Sequence, residues 1–138
     1  MQAYRKKEEV RTSIVLVDDQ ATLRRGLRMW LTLEPDLEVV GEAESGEAAL
    51  RLVRALSPDL VLMDVEMPDM DGIAATAALR AASPHVAVVI LSLYDDARTE
   101  ARAREAGAVG FVSKHQAKST LLATIRRVVS RVERGDKP

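Results

Sequence analysis

The 138 residues contain no cysteine, which excludes a disulfide scaffold, thiolate zinc sites and thiol chemistry and is compatible with a reducing cytosol. No apolar run approaches the ~18 residues of a membrane span. The charged opening MQAYRKKEEVR leads into no long apolar segment, so it reads as a solvated extension and not a secretory signal. Charge of one sign is missing as well. Twenty basic against 21 acidic side chains leave a net −1, which excludes a chain-wide electrostatic grip on nucleic acid or anionic lipid. Internal repeats, low-complexity tracts and domain linkers are absent too. What remains is an ordinary globular balance, 47% apolar and 30% charged, at a length that suits one domain with a core that needs no staples.

Strand and helix patterns alternate five times along the chain. Residues 14–17 form a short apolar run that ends in Asp18 and Asp19. Leu23, Leu27, Trp30 and Leu31 then recur at helical spacing. Residues 37–40 read as a strand, Ser45 as an N-cap, and Ala49, Leu52, Val53 and Leu56 as the apolar face of a helix closed by Pro58. A third run, 60–63, ends in Asp64 and passes into a loop with Pro68. Ile73, Ala74, Ala77 and Ala78 predict the face of a small-residue helix, and 86–91 a strand ending at Ser92. Residues 96–106 make a weak helix, and 109–112 a last strand before Ser113 and Lys114. Leu121, Ile125, Val128 and Val132 mark a final amphipathic helix. Most of these strands are unbroken apolar runs, so both faces must be covered. The expected class is α/β, a parallel sheet with helices on each side.

Four chemically distinctive features fall at the C-terminal ends of four strands: the pair Asp18–Asp19, Asp64, Ser92 and Lys114. In an open α/β sheet those ends border the crevice where ligands bind. Three carboxylates in one pocket repel, each disfavouring ionisation of the others. A divalent cation removes that conflict, and all-oxygen ligation suits magnesium. A lysine and a hydroxyl suit a phosphoryl group, and a carboxylate can itself be the nucleophile that receives one. Each residue alone has a plainer explanation. Asp18 and Asp19 could cap the first helix, Asp69 and Asp71 read as caps, and His85 and His115 as solvated histidines. The argument rests on coincidence of the four features.

The segments that carry them resemble the response-regulator receivers. VLMDVEMPDMDG from Val61 is similar to that family's phosphoacceptor motif, IVLVDDQ from Ile14 to its acidic pair, VVILSLYDD from Val88 to its fourth-strand switch, and AGAVGFVSK from Ala106 to its fifth strand and lysine. The resemblance implies a flavodoxin-like, three-layer (βα)5 fold with a five-stranded parallel sheet in the order 2-1-3-4-5, the order for which a relative of this family serves as the standard example. It places a receiver at residues 13–133, between an extension at 1–12 and a polar tail at 134–138. It also assigns roles. Asp64 would accept phosphate from a sensor histidine kinase. Asp19 would bind Mg2+ directly, Asp18 mainly through water, Asp64 as the third carboxylate, and Glu66 through its backbone carbonyl. Lys114 and Ser92 would hold phosphoryl oxygens. Phe111 would turn inward when Ser92 moves, and Glu66 and Tyr94 would tune phosphate lifetime.

KHQAKSTLLATIRRVV from Lys114 resembles the receiver end of the LuxR/NarL-type subfamily, whose members usually continue into a helix-turn-helix domain. The resemblance implies a non-enzymatic, cytoplasmic switch. Its fourth helix, fifth strand and fifth helix would address an output domain or partner protein, and it admits a homodimer through that face. It implies no nucleic-acid contact and no membrane from this chain. The alternative is a phosphorylation-independent, receiver-like interaction module. An aspartate-nucleophile phosphatase is disfavoured, because those enzymes carry D-x-D on the first strand and usually a cap domain. His115 stands where many receivers have proline, which leaves the conformation of the Lys114–His115 bond open.

Overall fold

The computed structural model describes residues 11–67, 69–93, 96–116 and 118–133, residues 132 and 133 by backbone alone. Strands β1 (Thr12–Val17), β2 (Leu37–Ala43), β3 (Leu60–Asp64), β4 (Ala87–Ser92) and β5 (Gly110–Ser113) alternate with five helices. These are α1 (Ala21–Thr32), α2 (Gly46–Leu56), α3 (Gly72–Ala82), α4 (Ala97–Glu105) and α5 (Lys118–Glu133). The strands form one parallel sheet in the order β2-β1-β3-β4-β5, as the resemblance implied.

Both faces of the sheet are covered. Val15, Val17, Val61, Met63, Val88 and Ile90 pack with Ala49 and Val53 of α2, Leu79 of α3 and Ala103 of α4. The alternate residues, among them Ile14, Leu16, Leu60, Leu62 and Val89, pack with Leu31 of α1 and with Leu121, Ile125 and Val128 of α5. This is why β3 and β4 read as continuous apolar runs: every residue of each is buried. The Lys118 ammonium lies 5.4 Å from the Trp30 ring centroid and ties the start of α5 to α1.

Two elements depart from the sequence reading. Strand β2 runs to Ala43 instead of stopping near Val40. It is an edge strand with half-exposed residues, and the pairing shifts between Ile14 and Val15, so that Ile14 faces Val39 and Val15 faces Gly41. The buried face of α3 is Gly72, Ile73, Ala75, Thr76 and Leu79, with Ala74 and Ala77 exposed. Alanines on both sides of that helix hide its phase, and the buried threonine is tolerated because its hydroxyl donates to the Gly72 carbonyl at 2.7 Å. Ser45 does cap α2, accepting from the Ala48 amide, and Ser57 ends it in the left-handed region before Pro58. Val132 and Glu133 are placed as helix, and their side chains lie outside the described residues. Among the described residues no helix is long and apolar enough to cross a membrane.

Candidate functional site

Strand register brings the distinctive residues to one edge. Val17 pairs with Met63, so Asp18, just past β1, is level with Asp64 at the end of β3. Asp64 pairs with Leu91, and Ser92 with Ser113, so Ser92 stands one step past the level of Asp64 and Lys114 two. Alternation along the strands then divides the side chains. Asp18 and Asp64 continue the phase of Leu16 and Leu62, and Lys114 that of Val112, toward α1 and α5. Ser92 continues the phase of Ile90 and shares the opposite face with Phe111. Asp64 and Lys114 thus lie on one side of the sheet, and Ser92, to which the resemblance gives both a phosphate-holding and a switching role, lies with Phe111 on the other.

The geometry of the acidic side is tight. Lys114 Nζ donates to Asp64 Oδ1 at 3.0 Å and to Asp18 Oδ2 at 3.3 Å. Asp18, Asp64 and Ser92 are buried, at 3%, 5% and 1% exposure, and Asp19 is exposed. Carboxylate oxygens of Asp18, Asp19 and Asp64 all lie within 4.8 Å of one another. Burial pushes the Asp64 carboxyl above the ordinary carboxylate range; the Lys114 hydrogen bond opposes that, and the Asp18 charge adds to it. Burial alone would depress Lys114, and the hydrogen bond and charge of Asp64, with those of Asp18, outweigh it and hold the ammonium above its usual value.

The surrounding loops are held by backbone contacts. Asp18 Oδ1 accepts from the Gln20 amide at 2.9 Å, and Gln20, not either aspartate, is the N-cap position of α1. Arg24 donates to the Asp18 carbonyl at 2.6 Å and to Glu42 at 3.1 Å, anchoring the turn to β2. Sequence offered no signal for Arg24, which reads as one more solvated charge on a helix. Asp71 caps α3 through the Ala74 amide. Asp69 caps as well, but across the fold: its carboxylate accepts from the Gly46 and Glu47 amides of α2, each at 3.1 Å. The Glu66 amide lies 3.4 Å from Asp64 Oδ1, and Glu66 lines the crevice over Asp64.

Phe111 is half-buried against the α2–α3–α4 core. Tyr94 lies outside the described residues. The Lys114–His115 bond is trans, no cis bond occurring among the described residues. His115 is exposed and donates its amide to Ser113 Oγ at 3.1 Å; His85 is exposed too.

The donor set fits a hard divalent cation. Three carboxylates meet with one ammonium among them, a surplus of negative charge that an oxygen-ligated ion neutralises. The crevice lined by Asp19, Asp64 and Lys114, about 590 Å3, has room for a phosphoryl group.

Residues 14–126 match the response regulator receiver domain family. The chain is 36% identical over 120 residues to the transcriptional regulatory protein DegU of Brevibacillus brevis, covering 87% of this chain and 51% of that protein. It is 43% identical over 127 residues to protein-glutamate methylesterase/protein-glutamine glutaminase 2 of Cereibacter sphaeroides, covering 90% of this chain and 35% of that one. Among solved structures, a LuxR-family two-component response regulator from Aurantimonas sp. SI85-9A1 superposes with a TM-score of 0.85 at 31% identity, over 92% of this chain and 88% of the other. The receiver domain of the response regulator NarL from Mycobacterium tuberculosis gives 0.81 at 34% identity, over 88% and 98%. The chain spans about half the length of DegU and about a third of the methylesterase.

Proposed function

Since the chain belongs to the response regulator receiver domain family of two-component systems, we propose that Asp64 accepts a phosphoryl group from a phosphohistidine of a sensor histidine kinase. The observation that carries this is the position of Lys114, bonded to Asp64 and Asp18 within a cluster of three carboxylates. An Asp64 carboxylate oxygen forms the new bond to phosphorus while the histidine nitrogen leaves with its bonding pair. The Lys114 ammonium moves onto a phosphoryl oxygen as the Asp64 charge is consumed, and Ser92 donates its hydroxyl to another. Asp18, Asp19 and Asp64, with the Glu66 main-chain carbonyl, would hold magnesium, which would neutralise the charge gathered there by the carboxylates and the phosphoryl oxygens.

Output follows from the far side of β4. Drawing Ser92 toward the phosphoryl group vacates space on the face it shares with Phe111, and the Phe111 ring turns inward to fill it. Helix α4 is suited to respond, since Ala103 is its one buried residue. The α4–β5–α5 face then meets an output domain or a partner protein, or a second copy as a homodimer. The proposed receiver unit spans residues 13–133, between the 1–12 extension and the 134–138 tail, works in the cytoplasm, and makes no direct nucleic-acid contact. It switches without turning over a substrate of its own.

Acetyl phosphate with magnesium, followed by intact-mass measurement, tests the reading. One added phosphoryl group is expected in the wild type and none in Asp64→Asn or after chelation. A folded wild-type chain that gains nothing would leave the phosphorylation-independent interaction module as the better account.

A further inference from the structure

Of the three clustered carboxylates, two are held by partners of their own. Asp64 accepts from Lys114 at 3.0 Å, and Asp18 accepts from Lys114 at 3.3 Å and from the Gln20 amide at 2.9 Å. Asp19 is exposed, and among the described residues no hydrogen bond or ion pair reaches its carboxylate. Its direction is therefore set by the backbone that carries it, the Asp18–Asp19 peptide at the start of the turn into α1. The carbonyl of that peptide has one donor among the described residues, Arg24 Nη1 at 2.6 Å. Arg24 Nε donates in turn to Glu42 Oε1 at 3.1 Å, with the arginine side chain only 14% exposed. Glu42 lies in the last part of β2, opposite Leu16, and its neighbour Ala43 accepts from the Asp18 amide at 3.0 Å. Both ends of Asp18 are thus tied to β2, the amide directly and the carbonyl through Arg24. A guanidinium suits this task, because its rigid planar fork holds a carbonyl and a carboxylate at once.

We propose that Arg24 is a positioning residue for magnesium: clamped by Glu42, it fixes the plane of the Asp18–Asp19 peptide and so aims the otherwise unpartnered Asp19 carboxylate at the ion. The inference rests on the reading of this cluster as the magnesium site and adds what sets its affinity. Arg24 acts on the ion in two ways of opposite sign. Its positive charge repels a cation, but Glu42 beside it offsets that charge. Its hydrogen bond to the Asp18 carbonyl orders the peptide in advance, so less conformational freedom remains to be lost when the ion binds. Groups that orient metal ligands from the outer shell typically carry about 10- to 100-fold in metal affinity, so ordering outweighs repulsion. Arg28 supplies the comparison. It donates to the same Glu42 at 2.6 Å, carries the same charge, and makes no bond to the Asp18 carbonyl.

The test titrates Mg2+ into unphosphorylated full chains of wild type, Arg24→Met, Arg24→Lys and Arg28→Met, and reads Kd by calorimetry with urea unfolding alongside. Arg24→Met should weaken Mg2+ binding on the order of tenfold, although it removes a positive charge. Arg24→Lys keeps the charge but replaces the fork with a single nitrogen, and it too should bind more weakly than wild type; it carries the test if Arg24→Met does not fold. Arg28→Met should keep the wild-type Kd. Phosphorylation by acetyl phosphate, followed by intact mass, should need more Mg2+ for half its maximal rate in the Arg24 variants, with the deficit closing as Mg2+ saturates. A Kd in a folded Arg24 variant equal to or tighter than that of wild type, or an equal loss in Arg28→Met, overturns the positioning role and leaves Asp64 as acceptor. An Arg24-dependent Kd in chains that gain no phosphoryl group supports the positioning role and overturns the acceptor reading. A wild-type chain that binds no Mg2+ overturns the metal reading, and this inference with it.

Discussion

Two glycines give the same substitution opposite signs. A methyl added at Gly72 falls inside any permitted contact with the Asp64 carbonyl oxygen, 2.8 Å from the carbon bonded to it and 2.9 Å from Val65 Cα, where real Cβ atoms essentially never come under 3.0 Å. All three obstacles are backbone, so no rotamer change relieves them. The Gly72 amide also donates to the Val65 carbonyl at 2.6 Å, closing the loop on itself. Accommodating Gly72→Ala therefore requires the end of β3, with Asp64 on it, to move on the order of 1 Å, and overpacking of that kind costs about 1–3 kcal/mol. At this chain length each kcal/mol lowers Tm by about 4 °C. Misplacing a nucleophile by that distance slows its reaction by about 100-fold. At Gly26, exposed within α1, the added methyl meets nothing within 4 Å. Gly26→Ala should gain about 0.5–1 kcal/mol from reduced backbone freedom. Urea unfolding and the acetyl phosphate rate, measured on both variants, decide the matter. A Gly72→Ala chain of wild-type stability and rate would refute the claim that this glycine sets the position of Asp64.

Three further outcomes are expected. The Arg126 hydrogen bonds hold Asp36 below its usual 3.8, and the Arg28 hydrogen bond, helped by that of Arg24, holds Glu42 below 4.5 against the cost of burial. Folded values lie under unfolded ones, so this stabilisation is present above 3.8 and 4.5 and is lost as pH falls through the depressed values. The Arg126–Asp36 pair is exposed, so Arg126→Gln should cost under about 1 kcal/mol at neutral pH and nothing in acid well below the carboxylate range; a loss that is the same in both would count against the pairing. In hydrogen exchange, the amides of α4, with one buried residue, should be less protected than those of α3, with five, and should change on phosphorylation; equal and unresponsive protection would remove α4 from the switch. Glu66→Ala should alter the lifetime of the aspartyl phosphate without abolishing its formation, and equal lifetimes would show that the crevice-lining carboxylate does not tune it.

Much of this was legible from residues alone, for a physical reason. A strand buried on both faces must be apolar throughout, so β1, β3 and β4 announce themselves, and residues at their C-terminal ends converge whatever the loops do. Less legible was anything that depends on phase or distant partners. Alanine fills the inner and outer faces of α3 equally well, so periodicity placed Ala74 and Ala77 inside and overlooked Thr76 and Leu79. The end of β2 is half-exposed at a sheet edge, where GEA carries no apolar signal. Arg24 owes its place to a neighbour far along the chain, Glu42. Asp69 looked like a cap and is one, but the helix it caps precedes it by more than 20 residues in sequence.

That long-range cap has a kinetic consequence. Ser45 can serve α2 as soon as its own turn forms, but the Gly46 and Glu47 amides wait for a carboxylate 23 and 22 residues downstream. Those bonds close only once β3 has joined the sheet and its following loop has turned back. The N-terminal turn of α2 is thus completed late, after the loop-closure entropy has been met. Loss of the Asp69 carboxylate should consequently show itself in faster unfolding, with the folding limb of the chevron little changed. The loop that follows Asp64, in this light, is also the last clasp fastened on the helix beside it.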